Sequence, residues 1–591
     1  GVPQRPTPSA IEAPSVVGRY QQMITARGLA ARLYFLASDF FEGRETSTRG
    51  QRLAADYLAS QYRALGLAPK GTAAAADARS PAAYFQRFRV YRRQPSKTRL
   101  EVAVRGRRVA ASTYSRRSQD GLSYFAFGSL SDAAGGVVFA GYGIRDAALG
   151  YDDFAALAAQ GVRIDGKWIV ILADEPLRDA SASLLPTPDG KPSKWTTQPS
   201  HKRKAIWLAG RPAGVLVVGD AGPRGAGKFD ESAARAASAL DGVGQLSLYR
   251  DTPSSFPPTF MISSRMADKI LSAAGRTAAS VAREIDRGLR PSVFEVKGVE
   301  VRAAVEPGGE ELETENVLAF IEGSDPALKD QVVVVSSHYD HLGVDRRATG
   351  DQIYNGAADD ASGTVAALAL AEAFARAKAD GLGPRRSLIF ANFSGEEKGL
   401  LGSTYYAETG PIVPLEKIAA NVNMDGVGGF DPNHPTGSRD YIYVVGTRRE
   451  SEELIETNRR LNELTGVRLR LDHPPPSLFN SDHVSFQRRS VPFIYYSTGL
   501  TEHFHRPSDE PATIDYDHLA RVARLVFANV WQAANQDAPP GGLPQSRLTA
   551  AGGYSCPPCP FDCDDLVFER PGECPVCRMV LLPKVRPKDR Q

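Results

Sequence analysis

Four apolar runs in the second half of this chain each end in side chains that could bind a metal ion or move a proton. Val332-Val-Val-Val335 runs into Ser-Ser-His338-Tyr-Asp340-His341, which places imidazole and carboxylate groups where a strand would open into a crevice. Leu388-Ile-Phe-Ala-Asn-Phe393 runs into Ser394-Gly-Glu396-Glu397. Adjacent carboxylates point in different directions, so one of the pair can hold a metal while its neighbour faces the attacking water. A third run ends in Asn421-Val-Asn-Met-Asp425-Gly, and a fourth, Val491-Pro-Phe-Ile-Tyr-Tyr496, precedes His503-Phe-His505-Arg-Pro-Ser-Asp509. Between the first two lies Asn355-Gly-Ala-Ala-Asp359-Asp360-Ala-Ser-Gly363, which leads into a helical pattern. Taken alone, an Asp here caps a helix, and Gly363 allows close backbone approach. Capping likewise accounts for the Glu pair by itself. Strand ends that jointly carry His, Asp, Glu, Asp and His are not explained by capping, and this nitrogen and carboxylate set suits zinc with positions left open.

The elements needed to position such groups are legible as alternation. From Asn316 onward, apolar strands (331–336, 387–393) alternate with helical stretches (361–379, the segment after Glu397, and 519–534). That order predicts an α/β fold, a three-layer, mostly parallel sheet with helices on both faces. Ligands bind such sheets at the carboxyl ends of strands. Upstream, helical spacing runs from Thr25 to Leu67, clearest in 51–65 and ended by Gly66, and 84–104 alternates like a strand. From about Ala126 the pattern changes to short strands such as Val137–Ala140 and Trp168–Leu172. A main α/β domain in two parts (15–125 and 301–537) flanking a β-rich insert (126–300) is the expected organisation, followed by the linker Pro539–Pro544 and a cysteine tail, 553–585.

At 591 residues the chain exceeds one hydrophobic core. Seventy-one basic against 68 acidic residues give a formal charge of +3, too weak a field for a nucleic-acid partner. No run is long and apolar enough for a membrane span. All five cysteines, Cys556, Cys559, Cys563, Cys574 and Cys577, sit in the tail. A body without cysteine suits export. The polar, Pro-rich stretch Gly1–Pro14 fits a mature terminus after signal removal, and the expected location is secreted or periplasmic. Two Cys-x-x-Cys knuckles predict a tetrahedral site for one structural zinc or other soft metal, with Cys556, Cys559, Cys574 and Cys577 as ligands and Cys563 spare or replacing Cys559. Paired disulfides are the alternative.

The motif order His-x-Asp, Asp-x-x-x-Gly, Glu-Glu, Asn-x-Asp, His-x-Pro-x-Asp resembles the co-catalytic zinc aminopeptidase family, whose relatives include glutamate carboxypeptidases and glutaminyl cyclases. The likeness spans about Ala26–Gln86 and Thr314–Ala534. It implies two catalytic zinc ions. His338 and Asp425 hold one, Glu397 and His505 the other, and Asp359, four residues before Gly363, bridges them. Glu396 is then the general base, Asp340 orients His338, and Ser481-Asp482-His483 supports the site. The implied reaction removes N-terminal residues from peptides. A carboxypeptidase of the same family, or an inactive receptor-like module, are the competing readings. Many relatives place a Tyr before the last His; here Phe504 stands there, so Tyr495, Tyr496 or zinc must stabilise the oxyanion. The segments Gly166-Lys-Trp-Ile-Val-Ile-Leu172 and Ala213-Gly-Val-Leu-Val-Val218 resemble a protease-associated domain. The tail's Pro-Gly-x-Cys-Pro-x-Cys ending resembles short heavy-metal-binding modules.

Overall fold

The structure is a computed structural model, described for residues 14–586 apart from 74–78, 93–94, 116–118, 199, 226–227, 240–245, 249–255, 347, 447–451, 474–479, 490, 541–548, 556–565, 570–573 and 577–580. Contacts divide the chain into two compact units. One comprises Gly1–Val90, Glu311–Thr549 and Val585–Gln591; the other comprises Tyr91–Glu310 and Ala550–Lys584.

The first unit is built on a sheet whose strands run, across the sheet, Phe85–Arg92, Glu311–Ile321, Ser387–Phe393, Val332–His338, Ile418–Met424, Phe493–Ser497, Tyr441–Val445 and Arg470–Asp472. The sheet is mixed. Its central four strands are parallel, but Glu311–Ile321 pairs antiparallel with Ser387–Phe393, and Tyr441–Val445 antiparallel with Phe493–Ser497. The expectation of a mostly parallel sheet holds at the centre and for the edge pair Tyr441–Val445 with Arg470–Asp472 but not for the joins between, because alternation of strands and helices does not fix the direction of flanking strands. The two faces divide by residue parity, as a pleated strand requires. Val333 and Val335 pack into one core with the helices Ala26–Leu36, Arg49–Ala64, Ser362–Ala379 and Tyr516–Asn535. Val332 and Val334 face a second core with Tyr406 and Phe486. Helices thus cover both faces. Within the first core Phe374 stacks on Trp531, with ring centres 5.7 Å apart. Burying each such side chain contributes about 1.5–3 kcal/mol.

The helical run expected over 25–67 is interrupted. A helix over Ala26–Leu36 stops, and Glu42, Gly43 and Arg44 adopt left-handed backbone (φ 49°, 64° and 51°) before Arg49–Ala64 resumes. A Cβ on Gly43 would come 2.4 Å from the Gly343 carbonyl, so glycine is required there.

The second unit holds an eight-stranded sheet in the order Arg107–Ser115, Pro95–Val104, Val293–Pro307, Ala133–Ala140, Trp168–Leu172, Gly214–Val218, Thr259–Ile262, Ser123–Phe127. Four of these strands, from Ala133–Ala140 to Thr259–Ile262, are parallel, and helices such as Asp153–Ala159 and Ser200–Ala209 connect them. The unit is therefore mixed α/β and not purely β-rich. It begins at Tyr91, ahead of the pattern change near 126, because Pro95–Val104 pairs along most of its length with Val293–Pro307. Ala550–Lys584 packs with this unit. Phe568 meets the Trp207 ring at 5.8 Å, and Arg203 Nε donates to the Val576 carbonyl at 2.5 Å. Cys574 is buried beside Phe568, Val576 and Leu581; Cys556, Cys559, Cys563 and Cys577 lie outside the described residues.

Candidate metal centre

The apolar strands deliver their terminal side chains to one place. His338 Nε2 lies 3.1 Å from Asp359 Oδ1 and 3.5 Å from Asp425 Oδ1. His505 Nε2 lies 3.1 Å from Asp359 Oδ2 and 3.2 Å from Glu397 Oε2. Asp359 thus presents one oxygen to each histidine. These separations match the about 3.3 Å between neighbouring donors around a tetrahedral ion with bonds near 2.05 Å. Two buried donor atoms among these residues, His338 Nε2 and Glu397 Oε1, have no hydrogen-bond partner among the described residues. Buried polar atoms are normally satisfied, and nitrogen plus carboxylate donors converging in this way fit zinc.

Asp360 is turned to a different task. Its carboxylate accepts from the backbone N–H of His338 (3.3 Å), Gly363 (2.9 Å) and Gly426 (3.1 Å), tying three segments together behind the site. A Cβ on Gly363 would lie 2.6 Å from that carboxylate, in line with the close approach expected there. The Asp359 loop is clamped from the other side by Asp509, whose oxygens accept from the N–H groups of Ala358 (2.9 Å) and Asp359 (3.2 Å).

Asp340 is fully buried, but its carboxylate does not make the hydrogen bond to His338. His338 Nδ1 pairs with the backbone carbonyl of Asp340 at 3.1 Å, while the nearest carboxylate oxygen stands at 3.7 Å. The carboxylate accepts instead from Thr46 Oγ1 (2.8 Å) and from the backbone N–H of Glu396 (3.2 Å). Asp340 therefore sets the position of Glu396 as well as the ring of His338. Behind the site, Ser336 donates to Asn423, whose amide donates to Ser481 Oγ, so the Ser481-Asp482-His483 motif is anchored to two of the central strands. Burial pushes the Asp482 carboxyl up to about 7.

Crowding of carboxylates shapes the electrostatics. Burial raises Asp359, but His338 and His505 against its two oxygens hold it well below the usual carboxylate range. Burial and the Asp359 charge raise Glu397, and His341 and His505 outweigh them, taking it to about 2. Glu396 goes the other way. Burial lifts its carboxyl well above the usual range, Glu397 and Asp425 add to the lift, and His338 opposes it. Two adjacent carboxyls of one sequence motif are thereby separated into a permanent anion and a proton acceptor of raised basicity. The open side of the cluster is formed by His505, 39 % exposed, with Asp425 and Glu396 partly reachable.

Of the two tyrosines weighed against Phe504, Tyr496 Oη donates to Asn458 Oδ1 at 2.7 Å and its ring belongs to the core under the helices. Tyr495 stacks on His483 at 4.4 Å, and its hydroxyl is raised well above its usual value by burial and by the Asp425 charge. Phe504 stacks on the His505 ring at 3.7 Å. Two further residues shape the site without a clear signal in the sequence. Arg44, sealed from solvent, donates to the carbonyls of Tyr339 (2.8 Å), Leu36 (2.9 Å), Asn355 (2.7 Å) and Gly356 (3.0 Å), and so fixes the loops that carry His338 and Asp359. His341 points into the cluster; its place beside His338 and Asp340 was the available hint.

Residues 316–530 match the model of Peptidase family M28. A "Probable zinc metalloprotease" of Pyrenophora tritici-repentis (strain Pt-1C-BFP) is 30 % identical over 276 residues, covering 38 % of this chain and 52 % of that protein. "Aminopeptidase YwaD" of Bacillus subtilis (strain 168) is 26 % identical over 216 residues, covering 35 % of this chain and 42 % of that protein. The chain spans about half the length of the first of these relatives. Among solved structures, an aminopeptidase from Aneurinibacillus sp. strain AM-1 aligns with a TM-score of 0.49 at 18 % identity, over 89 % of this chain and 97 % of that one. His338, Asp359, Glu397, Asp425 and His505 all lie within the segment that matches this family model.

Proposed function

We propose that the chain is a two-zinc exopeptidase that removes N-terminal residues from peptides. The observation that carries this reading is Asp359 standing between two donor groups, with one oxygen 3.1 Å from His338 and the other 3.1 Å from His505. His338 and Asp425 hold one ion, Glu397 and His505 the other, and Asp359 is shared. Zinc at these ligands supplies Lewis-acid polarisation of the scissile carbonyl and makes the attacking water more acidic. Glu396 takes the proton from that water and delivers it to the leaving amine nitrogen, a role for which its raised basicity suits it. Asp340, through the Glu396 N–H, keeps that carboxylate in register with the reacting carbonyl. With Phe504 in place of a hydroxyl, Tyr495 is the tyrosine whose surroundings favour a part in oxyanion stabilisation, since Tyr496 is committed to Asn458.

The direction of cleavage rests on the family resemblance and on the relative named as an aminopeptidase. Hydrolysis of matched free and N-acetylated peptides tests it. Acetylation is expected to abolish turnover; undiminished turnover of acetylated peptides together with sensitivity to C-terminal amidation would establish the carboxypeptidase alternative. Within this reading the insert acts as a protease-associated, substrate-selecting module, the tail cysteines Cys556, Cys559, Cys574 and Cys577 hold one structural zinc, and the protein is exported.

A further inference from the structure

The five ligands just assigned leave one imidazole of the cluster without a role. His341 lies three residues beyond His338, is fully buried, and places Nδ1 2.8 Å from Glu397 Oε1 and 3.9 Å from Asp359 Oδ2. At 2.8 Å a protonated ring nitrogen aimed at the carboxylate would form a strong hydrogen bond. The two groups stand at ion-pair distance, but their alignment is not that of a formed hydrogen bond: His341 Nδ1 and Glu397 Oε1 both remain without a hydrogen-bond partner among the described residues, and so does His341 Nε2. A ring sealed from water with its nitrogens unsatisfied bears the full cost of their desolvation. Electron-pair donors that converge without aligning can be ligands of one ion: the 2.8 Å to Glu397 and 3.9 Å to Asp359 lie on either side of the about 3.3 Å of a tetrahedral pair, and His338 Nε2 with Asp359, at 3.1 Å, stands near it in the other half of the cluster.

The ring is also fixed in place. A Cβ on Gly356 would lie 2.5 Å from His341 Cγ and 2.6 Å from Cδ2, so Gly356, with φ of 54°, is shaped to let the Asp359 loop lie against this imidazole. The His341 N–H donates to the Arg44 carbonyl at 3.2 Å. The His341 and His505 rings stand 5.8 Å apart and nearly perpendicular, two imidazoles flanking Glu397.

We propose that His341 is a ligand of the second ion through Nδ1, so that this half-site is His341, Asp359, Glu397 and His505, while the first is His338, Asp359 and Asp425. The assignment rests on the two-zinc reading above. It makes the halves unequal: the second has two imidazoles and holds its ion more tightly, the first has one and exchanges its ion faster.

Zinc affinities of the purified full chain, measured by chelator competition, test the assignment with His341→Asn. Asparagine keeps an N–H donor near the Nδ1 position, so a His341 that merely orients Glu397 is replaced with both affinities within a few fold of wild type. A lost ligand weakens one zinc by more than about 100-fold, beyond the range for outer partners, and leaves the other unchanged. Thermal melting of the metal-stripped wild type and variant shows whether the variant folds. If it does not, anomalous diffraction from zinc-loaded wild-type crystals decides: a zinc within about 2.3 Å of His341 Nδ1 supports the assignment, and one beyond 3 Å overturns it. A wild-type chain that binds fewer than two zinc ions in its Cys-truncated form overturns the two-zinc reading itself, and this assignment with it.

Discussion

Both units of this protein carry parallel strands that open into buried charged residues, and the two clusters are built oppositely. In the second unit, Trp168–Leu172 ends at Asp174 and Glu175, where Lys202 donates its ammonium to the carbonyls of Leu172 (3.1 Å), Ala173 (3.1 Å) and Asp174. Nearby, Asp153 accepts from the N–H groups of Tyr142 and Ile144 and from the Tyr151 hydroxyl, and Glu175 accepts from Ser183 and Ser193. Lys202, Asp153 and Glu175 are each answered by protein groups. In the first unit, Val332–His338 and Ser387–Phe393 end at groups whose donor atoms converge on one another and leave His338 Nε2, both His341 nitrogens and Glu397 Oε1 unanswered by hydrogen bonds. Charge and burial are therefore poor markers of function by themselves. The discriminating property is whether the protein satisfies its own buried polar atoms.

The largest effect that would test this contrast is at the shared carboxylate. Asp359→Ala is expected to weaken both zinc sites by more than the about 10–100-fold typical of losing an outer partner, and to abolish hydrolysis. Loss of one ion with the other at wild-type affinity would break the bridge. Next comes Glu396→Gln, which is expected to keep both ions and lose about 10² to 10⁴ in kcat, the usual yield of general base catalysis. Loss of an ion from Glu396→Gln, with both retained in Glu397→Gln, would exchange the roles of the pair.

The second unit responds in stability instead. Lys202→Met leaves three carbonyls and the neighbouring carboxylates unanswered and is expected to destabilise that unit by about 2–5 kcal/mol in urea denaturation, with the zinc content of the first unit unchanged. A neutral substitution, or one that removes zinc, would erase the distinction drawn between the clusters. The smallest effect concerns pH. Burial raises the Asp153 carboxyl to about 7 from a usual value near 3.8, so between these values the folded form holds a proton that the unfolded form has released. Stability contributed by this group is present below pH 4 and falls as pH rises towards 7, by at most about 1.4 kcal/mol per pH unit. Asp153→Asn should flatten that part of the curve, and identical pH profiles for variant and wild type would show that Asp153 is ionised when folded.

The strands that end at His338, Glu397 and Asp425 and the helix that follows Asp359 were all legible as apolar runs bounded by polar side chains, because a strand covered on both faces must be apolar throughout. The role of His341 was not legible. Its nitrogen meets Glu397 only because the Asp359 loop lies against its ring at Gly356, a contact between segments that sequence spacing does not encode. Arg44 was hidden for a related reason. An arginine in a polar stretch reads as solvated surface, and only the left-handed turn over Glu42–Arg44 carries it inward to four carbonyl groups. That Pro95–Val104 joins the compact unit beginning at Tyr91 was not legible either, because a strand's sequence shows which face it buries but not which distant strand will pair with it.

The sequence by itself determined the donor chemistry: which side chains stand at the ends of apolar strands, and that they combine nitrogen and carboxylate ligands with a second, adjacent Glu. Tertiary structure decided how those side chains divide. It separated Asp359, facing both histidines, from Asp360, which ties together the backbones of His338, Gly363 and Gly426, and it gave Glu396 and Glu397 opposite basicities through unequal company. Neighbours in sequence share composition but not surroundings, and the desolvation and charge that set a carboxylate's role belong to the surroundings.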